Sequence, residues 1–316
     1  MELVTLPKLD LTAPPLGGLA ERVGSTPLLP LRQIAVHLPA SVELYAKAEW
    51  LNPGGSIKDR PALNIMRQAL ADGSFAGGKR LLDSTSGNMG ISYATFAPLL
   101  GIQVTLVMPA NASSERIKIL NALGAELILS DPLEGSDGAI RLARCLAQEH
   151  PKRYFYANQY DNPANWQAHY ASTAPEILQQ TSGTVTHFVA GLGTTGTLTG
   201  VSKYLRELNP AVQVIAVQPD SSFHGLEGLK HLPSAIQPAI YDPALPDLVV
   251  EIATEDAYAM VRKLARLEGL FVGISSGAAA LAALQVAEQL ERGVVVTVFP
   301  DAGYKYLSDD ALWTEQ

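Results

Sequence analysis

Short β-branched runs alternate with segments of helical period along almost the whole chain, and this regularity constrains the fold more than any other feature. Strands are expected at 43–49, 80–84, 103–108, 125–130, 154–158, 185–190, 212–217, 248–252 and 294–299. Helices are expected near 59–71, 89–100, 113–123, 136–149, 165–180, 196–208, 254–267 and 276–291. The stretch SSERIKILNALGAELI shows the punctuation. Ser113 can cap the helix, Glu115 and Arg116 populate its first turn, and Gly124 can end it before the next strand. Alternation of this kind implies an α/β fold with a mainly parallel sheet and helices on both faces. At 316 residues, two such units are expected.

Composition narrows the function. A net charge of −8 argues against a nucleic-acid partner, which would require a basic stripe. No apolar run approaches the roughly 20 residues that span a bilayer, so no membrane segment is expected. The start MELVTLPKLDLTAPPLGG has neither the basic region nor the apolar run of a signal peptide. The single cysteine, Cys145, can form no internal disulfide, and the cytoplasm is the expected compartment. Within GAIRLARCLAQEH, Cys145 reads as a small core residue of an amphipathic helix. The first 40 residues are proline-rich and weakly periodic, and are expected to lie across a domain surface. The irregular stretch 218–247 is too long for an ordinary connection, a length that goes with function or mobility.

In open parallel sheets, ligands bind where loops leave the carboxyl ends of strands and enter helices. Four such loops here combine glycine with small hydroxyl residues: GGSIKDR, STSGNMG, GLGTTGT and GISSGAA. Glycine lets backbone N–H groups approach an anion, and a helix N-terminus favours negative charge. GLGTTGT is the best phosphate cradle, with Gly193, Thr194, Thr195, Gly196 and Thr197 offering amides and hydroxyls. It is no Walker loop, because no Gly-Lys-Ser/Thr follows. Nor is it a dinucleotide fingerprint. It sits in mid-chain, and no acidic residue ends the next strand.

Other catalytic signatures are missing. There is no Gly-x-Ser-x-Gly elbow and no His-x-x-x-His or Cys-x-x-Cys metal spacing, and the six histidines are scattered. His169 and His187 read as core or helix residues. What remains is Lys58 in LNPGGSIKDRP, a lysine at a helix start among glycines. Burial and the helix dipole lower the pKa of such an amine and make it a nucleophile. A lysine plus a bound phosphate indicates an enzyme whose cofactor does the chemistry. Pyridoxal 5′-phosphate fits both halves, its aldehyde on Lys58 and its phosphate in 193–197.

The sequence resembles the cysteine synthase family of fold type II pyridoxal-phosphate enzymes from about Gly24 to Ser308. The motifs that carry the resemblance are GSTPL, NPGGSIKDRPA, STSGNMGIS, NQYDNPAN, GLGTTGTLTGV, GISSGAA and FPDAGYKYLS. The GTTGT form, THFVAGLG and PAIYDP look more like the cysteine synthase B branch. The resemblance implies two doubly wound domains, tryptophan synthase β-like, with the cofactor in the cleft between them. A smaller, mobile domain is expected over 45–164, and a larger cofactor-binding one from 1–44 plus 165–316. It also implies β-replacement on an activated serine, through an aminoacrylate intermediate, to give L-cysteine. Cystathionine β-synthase-like or diaminopropionate-forming replacement is the alternative within the fold, and a catalytically reduced regulatory paralogue is the alternative outside it.

By resemblance, Lys58 is the Schiff-base lysine and takes the Cα proton, and Asn88 hydrogen-bonds the ring hydroxyl. Ser275 meets the pyridine nitrogen with a neutral hydroxyl. Thr85, Ser86, Gly87 and Met89, with Gln159, grip the substrate's α-carboxylate. Met89 departs from the family's usual threonine, which removes one hydroxyl contact. In the cysteine synthase B branch, and in relatives that use O-phosphoserine, a basic residue is found in the 218–247 region, where this chain offers Lys230 and His231; an ordinary solvated loop charge is the alternative reading of Lys230. The partners implied are an amino-acid substrate and a sulfur donor (sulfide, thiosulfate or a protein thiocarboxylate), a second copy in a homodimer, and a sulfur-carrier protein or serine acetyltransferase. No metal is implied.

Overall fold

The structure, a computed structural model, describes residues 18–85 and 87–314. Strand β1 (Leu28–Pro30) leads into β2 (Val42–Ala48), and α1 (Asp59–Ala71) follows a tight turn. A compact run of β3 (Arg80–Ser84), α2 (Asn88–Phe96), β4 (Val104–Pro109), α3 (Ser114–Ala122), β5 (Glu126–Ser130), α4 (Gly135–Glu149) and β6 (Tyr154–Tyr156) comes next. Then come α5 (Pro163–Ala168), α6 (Ala174–Gln180), β7 (His187–Gly191), α7 (Gly196–Leu208) and β8 (Gln213–Pro219). After a long loop the chain ends with β9 (Leu248–Ile252), α8 (Thr254–Lys263), α9 (Ile274–Ala287), β10 (Gly293–Phe299) and α10 (Asp310–Trp313). Every strand and helix expected from periodicity is present, within a few residues at each end.

Two sheets form, in the orders β1-β2-β10-β7-β8-β9 and β5-β4-β3-β6. All pairings are parallel except β1 with β2, where Leu29 faces Ala46. Each sheet is covered on both faces. In the smaller one, α1 and α2 bury Met66, Tyr93 and Phe96 on one side, while α4 buries Ala139 and Ala143 on the other. In the larger, α8 and α9 cover one face and α6 and α7 the other. Helix α9 is alanine-rich and buried nearly all round, as expected of a helix with no polar face.

Several local expectations change. Of the proline-rich start, residues 1–17 lie outside the described residues, and 28–30 pair onto the sheet edge as β1. Residue 45, the expected first residue of the smaller unit, lies inside β2, which pairs with β10 in the six-stranded sheet. Cys145 is exposed rather than in the core, with Sγ 3.3 Å from Glu149 Oε1. Its place on α4 falls on the solvent side, away from Ala139 and Ala143. Ser113 holds the N-cap position of α3, yet its side chain makes no capping bond. Among the described residues no helix is long and apolar enough to cross a membrane, and no cluster of His, Cys, Asp or Glu could hold a metal ion.

Candidate active site

Strand order places the site. In the smaller sheet β3, β4 and β5 step outward in sequence order, and β6 then returns to the other side of β3. In the larger sheet β7, β8 and β9 do the same, and β10 returns to the other side of β7. Loops leaving two strands at such a reversal part in opposite directions and leave a crevice. The loops after β3, β6, β7 and β10 all meet in one cleft, lined by Thr85, Gln159, Thr194 and Pro300 among others.

Lys58 stands at the N-cap position of α1 and lines that cleft. Its amine has no hydrogen-bond or ion-pair partner among the described residues. Burial lowers its pKa to about 8, against the opposing pull of Asp301 and Glu49. Roughly one amine in ten is therefore neutral at pH 7, far more than for a lysine in water. The neighbouring acid and base are clamps. Asp59 accepts from Gly54 N and Ser92 Oγ, each at 2.6 Å, which fixes the glycine turn. Arg60 is buried and pairs with Glu49 and Glu176, both at 2.7 Å. Lys47 joins Glu176 at 2.6 Å, so the charges in this buried group compensate one another.

Across the cleft lies the 193–197 turn. Gly193, Thr194, Thr195 and Thr197 line the cleft, and Gly196 begins α7 behind them. Thr195 adopts φ +67°, a conformation costly for a β-branched residue, and its buried Oγ1 has no partner among the described residues. A Cβ on Gly193 would meet the Gly228 carbonyl oxygen at 2.4 Å, so only glycine lets the backbone pass there. Strained backbone, an unsatisfied hydroxyl and the N-terminus of α7 suit an anion such as phosphate. The donor set therefore fits pyridoxal phosphate, with Lys58 opposite for its aldehyde.

Asn88, the first residue of α2, lines the cleft with its amide held at both ends. Nδ2 donates to Asp301 Oδ2 at 2.7 Å, and Lys305 Nζ donates to Oδ1 at 2.5 Å. Ser275, in the first turn of α9, is buried and also lines the cleft. Thr85 Oγ1 accepts from Gly87 N at 3.1 Å and from Gly90 N at 3.3 Å, shaping the turn into α2. Gln159 donates from Nε2 to the Ser84 carbonyl at 2.6 Å. Gly87 and Met89 are cleft residues, and Met89 is also part of the hydrophobic core. Ser86 lies outside the described residues. Lys230 is not a solvated loop charge, being only 7% exposed. It pairs with Asp137 at 2.8 Å and lies 5.0 Å from the Tyr160 ring centroid.

Sequence reasoning missed part of the wall. Arg116, read there as a first-turn residue of α3, is buried, lines the cleft and pairs with Glu227. Its guanidinium also lies 5.2 Å from the Tyr306 ring centroid. Asp301, Lys305 and Tyr306 belong to FPDAGYKYLS, where the motif could have suggested them. Nothing local marks Arg116 or Glu227, which meet only through the fold.

A buried lysine of lowered pKa and a strained glycine–threonine turn line one cleft between two doubly wound sheets, a setting that suits a cofactor carrying an aldehyde and a phosphate. Residues 19–301 match the family described as pyridoxal-phosphate dependent enzymes, and the chain belongs to that family. It is 52% identical over 291 residues to the cysteine synthase of Aquifex aeolicus, covering 90% of this chain and 89% of the relative. Cysteine synthase B of Pseudomonas aeruginosa is 43% identical over 290 residues, covering 92% and 95%. Among solved structures, the cysteine synthase of Entamoeba histolytica superposes with a TM-score of 0.90 at 35% identity, covering 100% of this chain and 95% of that one. The cysteine synthase resemblance and the pyridoxal-phosphate cofactor inferred from the motifs are both borne out.

Proposed function

We propose that the protein is a cysteine synthase that replaces the β-substituent of O-acetylserine with sulfide to give L-cysteine. The observation that carries this proposal is the amine of Lys58, with no partner among the described residues and a pKa lowered by burial to about 8, lining one cleft with the 193–197 turn in a chain of this family. Pyridoxal phosphate, when bound, supplies an electron sink for the substrate's Cα. Lys58 would hold it and, as a neutral amine, accept the Cα proton. The 193–197 turn would hold the phosphate, Asn88 the ring hydroxyl, and Ser275 the ring nitrogen. A serine leaves that nitrogen free of the full proton an aspartate would impose, which favours elimination over transamination.

Thr85, Ser86, Gly87 and Gln159 would receive the α-carboxylate. With Met89 in place of a hydroxyl residue, the backbone amides at the start of α2 bear more of that contact. The Lys230–Asp137 pair supports an acetyl ester over a phosphate ester, because the lysine charge facing the cleft is already compensated. Arg116–Glu227 and Lys230–Asp137 both join the four-stranded layer to the 226–230 segment. They support a smaller unit that moves against the larger, closing the cleft on substrate. Assembly as a homodimer in the cytoplasm belongs to the same proposal and rests on the resemblance.

Lys58→Ala tests the assignment. The variant is expected to lose the visible absorbance of lysine-bound cofactor and steady cysteine formation together, and full turnover in that variant would sink it. Side-by-side kcat/KM values for O-acetylserine and O-phosphoserine, each with sulfide and thiosulfate, test the substrates. A preference for O-phosphoserine would overturn the donor assignment.

A further inference from the structure

We infer that His169 is a positioning residue for the cofactor's phosphate: its Nε2–H donates to the Thr197 hydroxyl and so turns that hydroxyl's own proton toward the cradle. The inference rests on the pyridoxal-phosphate reading of the 193–197 turn. Helices α5 and α6 run on through a wide π turn, His169–Thr173. Such turns are uncommon and concentrate at functional sites. The turn brings His169, only 1% exposed, to Thr197, with Nε2 3.3 Å from Oγ1. The other ring nitrogen, Nδ1, lies 3.0 Å from Thr173 Oγ1.

Which nitrogen bears the proton follows from hydrogen-bond accounting. Thr173 is fully buried, and its hydroxyl has no other partner among the described residues. Were Nδ1 the donor, the Thr173 proton would be buried without an acceptor, which is costly. With Thr173 donating to Nδ1, every proton is used. Nε2 then carries the hydrogen and donates to Thr197 Oγ1. The Thr197 hydroxyl, which lines the cleft, keeps its own proton free for an anion. Burial, with the charges of Lys58 and Arg60 nearby, holds the imidazole well below its usual pKa, so it is neutral as this arrangement requires.

The fold secures the approach. A Cβ at Gly200 would meet the Trp166 carbonyl oxygen at 2.2 Å and His169 Cβ at 2.8 Å. Only glycine at 200 lets α7 come near enough for the imidazole to reach Thr197. Asn165, one helical turn before His169, is anchored by Nδ2 donating to the Gln159 carbonyl at 2.7 Å, so this helix face is tied to the cleft at two points.

The test is pyridoxal-phosphate titration of the resolved apoprotein, with the 31P resonance of the bound phosphate as a second readout. His169→Leu is expected to raise the cofactor Kd by roughly 3- to 10-fold, one neutral hydrogen bond's worth, and to shift the resonance. His169→Gln, whose amide can still donate toward Thr197, should recover part of the loss. Combined with Thr197→Val, His169→Leu should add almost nothing, because both act through one hydroxyl. Thr173→Val lies outside the cradle and should shift the resonance in the same direction, a check that stands even where His169→Leu folds poorly. Wild-type Kd and resonance in His169→Leu, or full additivity with Thr197→Val, would overturn the inference. Failure of the wild type itself to bind the cofactor would instead refute the pyridoxal-phosphate reading.

Discussion

Asp83 shows how far a single side chain can depart from its ordinary chemistry. It is the last residue but one of β3 and fully buried, accepting from Ser84 N at 2.8 Å, Tyr93 Oη at 3.0 Å and Gln159 N at 3.3 Å. Burial outweighs these bonds and raises its pKa to about 7. Asp59 behaves alike, raised by burial to about 6. Between roughly pH 4 and 7 the folded protein therefore keeps protons that the unfolded chain has released. The contribution of these two carboxyls to stability falls as pH rises through that window, while His169, whose pKa burial lowers, works in the opposite direction. Asp83→Asn, which cannot titrate, is expected to remove its share of that fall and make the slope of stability against pH more positive than in the wild type, with the share of Asp59 left in place. Urea unfolding at pH 4.5, 5.5 and 6.5 measures it, and an unchanged slope would mean that Asp83 is ionised throughout. The carboxyl also steadies Gln159 and the Ser84 backbone, so one buried acid braces both loops that enter the cleft at the β3–β6 reversal.

At the scale of elements, packing distance decides what is tolerated. Helix α7 lies so close to α5 and the following π turn that Gly200 has no room for a methyl group, and two of the three atoms in its way are backbone. Backbone cannot swing aside as a side chain can. Gly200→Ala is expected to destabilise the protein on the order of 3 kcal/mol, the upper end for overpacking, despite alanine's better helix propensity. A midpoint of urea unfolding equal to the wild type would show that the helices can separate cheaply. Element identity was legible in the sequence here, since GTLTGVSKYLREL has clear helical period. The crossing distance was not, because it depends on which helix packs alongside.

At the scale of the whole molecule, the 220–247 segment has no strand or helix of its own, yet it joins the two sheets' domains. Leu226, Leu229 and Leu245 anchor it by burial, while Glu227 and Lys230 reach to Arg116 and Asp137. Asp137 Oδ2 also accepts from Ile236 N at 2.8 Å. The two ion pairs are crossed in sign, so each side of the cleft presents one cation and one anion. Asp137→Asn leaves the Lys230 charge uncompensated at the cleft. The ratio of kcat/KM for O-phosphoserine over O-acetylserine should rise by about 10-fold, a charge-assisted bond of ordinary strength. An unchanged ratio would show that Lys230 does not reach the leaving group.

The sequence by itself determined the alternation of elements, the four glycine-rich turns and the lysine among them, because periodicity and turn chemistry are local. GSIKDR and GLGTTGT could be given expected purposes, a nucleophilic amine and an anion cradle, before any strand was paired, since those expectations rest on consecutive residues and on four such turns recurring at strand ends. Tertiary structure alone decided which strands lie side by side, and so that two reversals of strand order face each other across one cleft. It also decided the fates of side chains whose partners are far along the chain. Cys145 turned outward, Lys230 was buried against a residue 93 positions away, and His169 met Thr197. Arg116 and Glu227 became neighbours for the same reason. Contacts of that kind depend on how whole layers stack, and no short stretch of sequence contains that information.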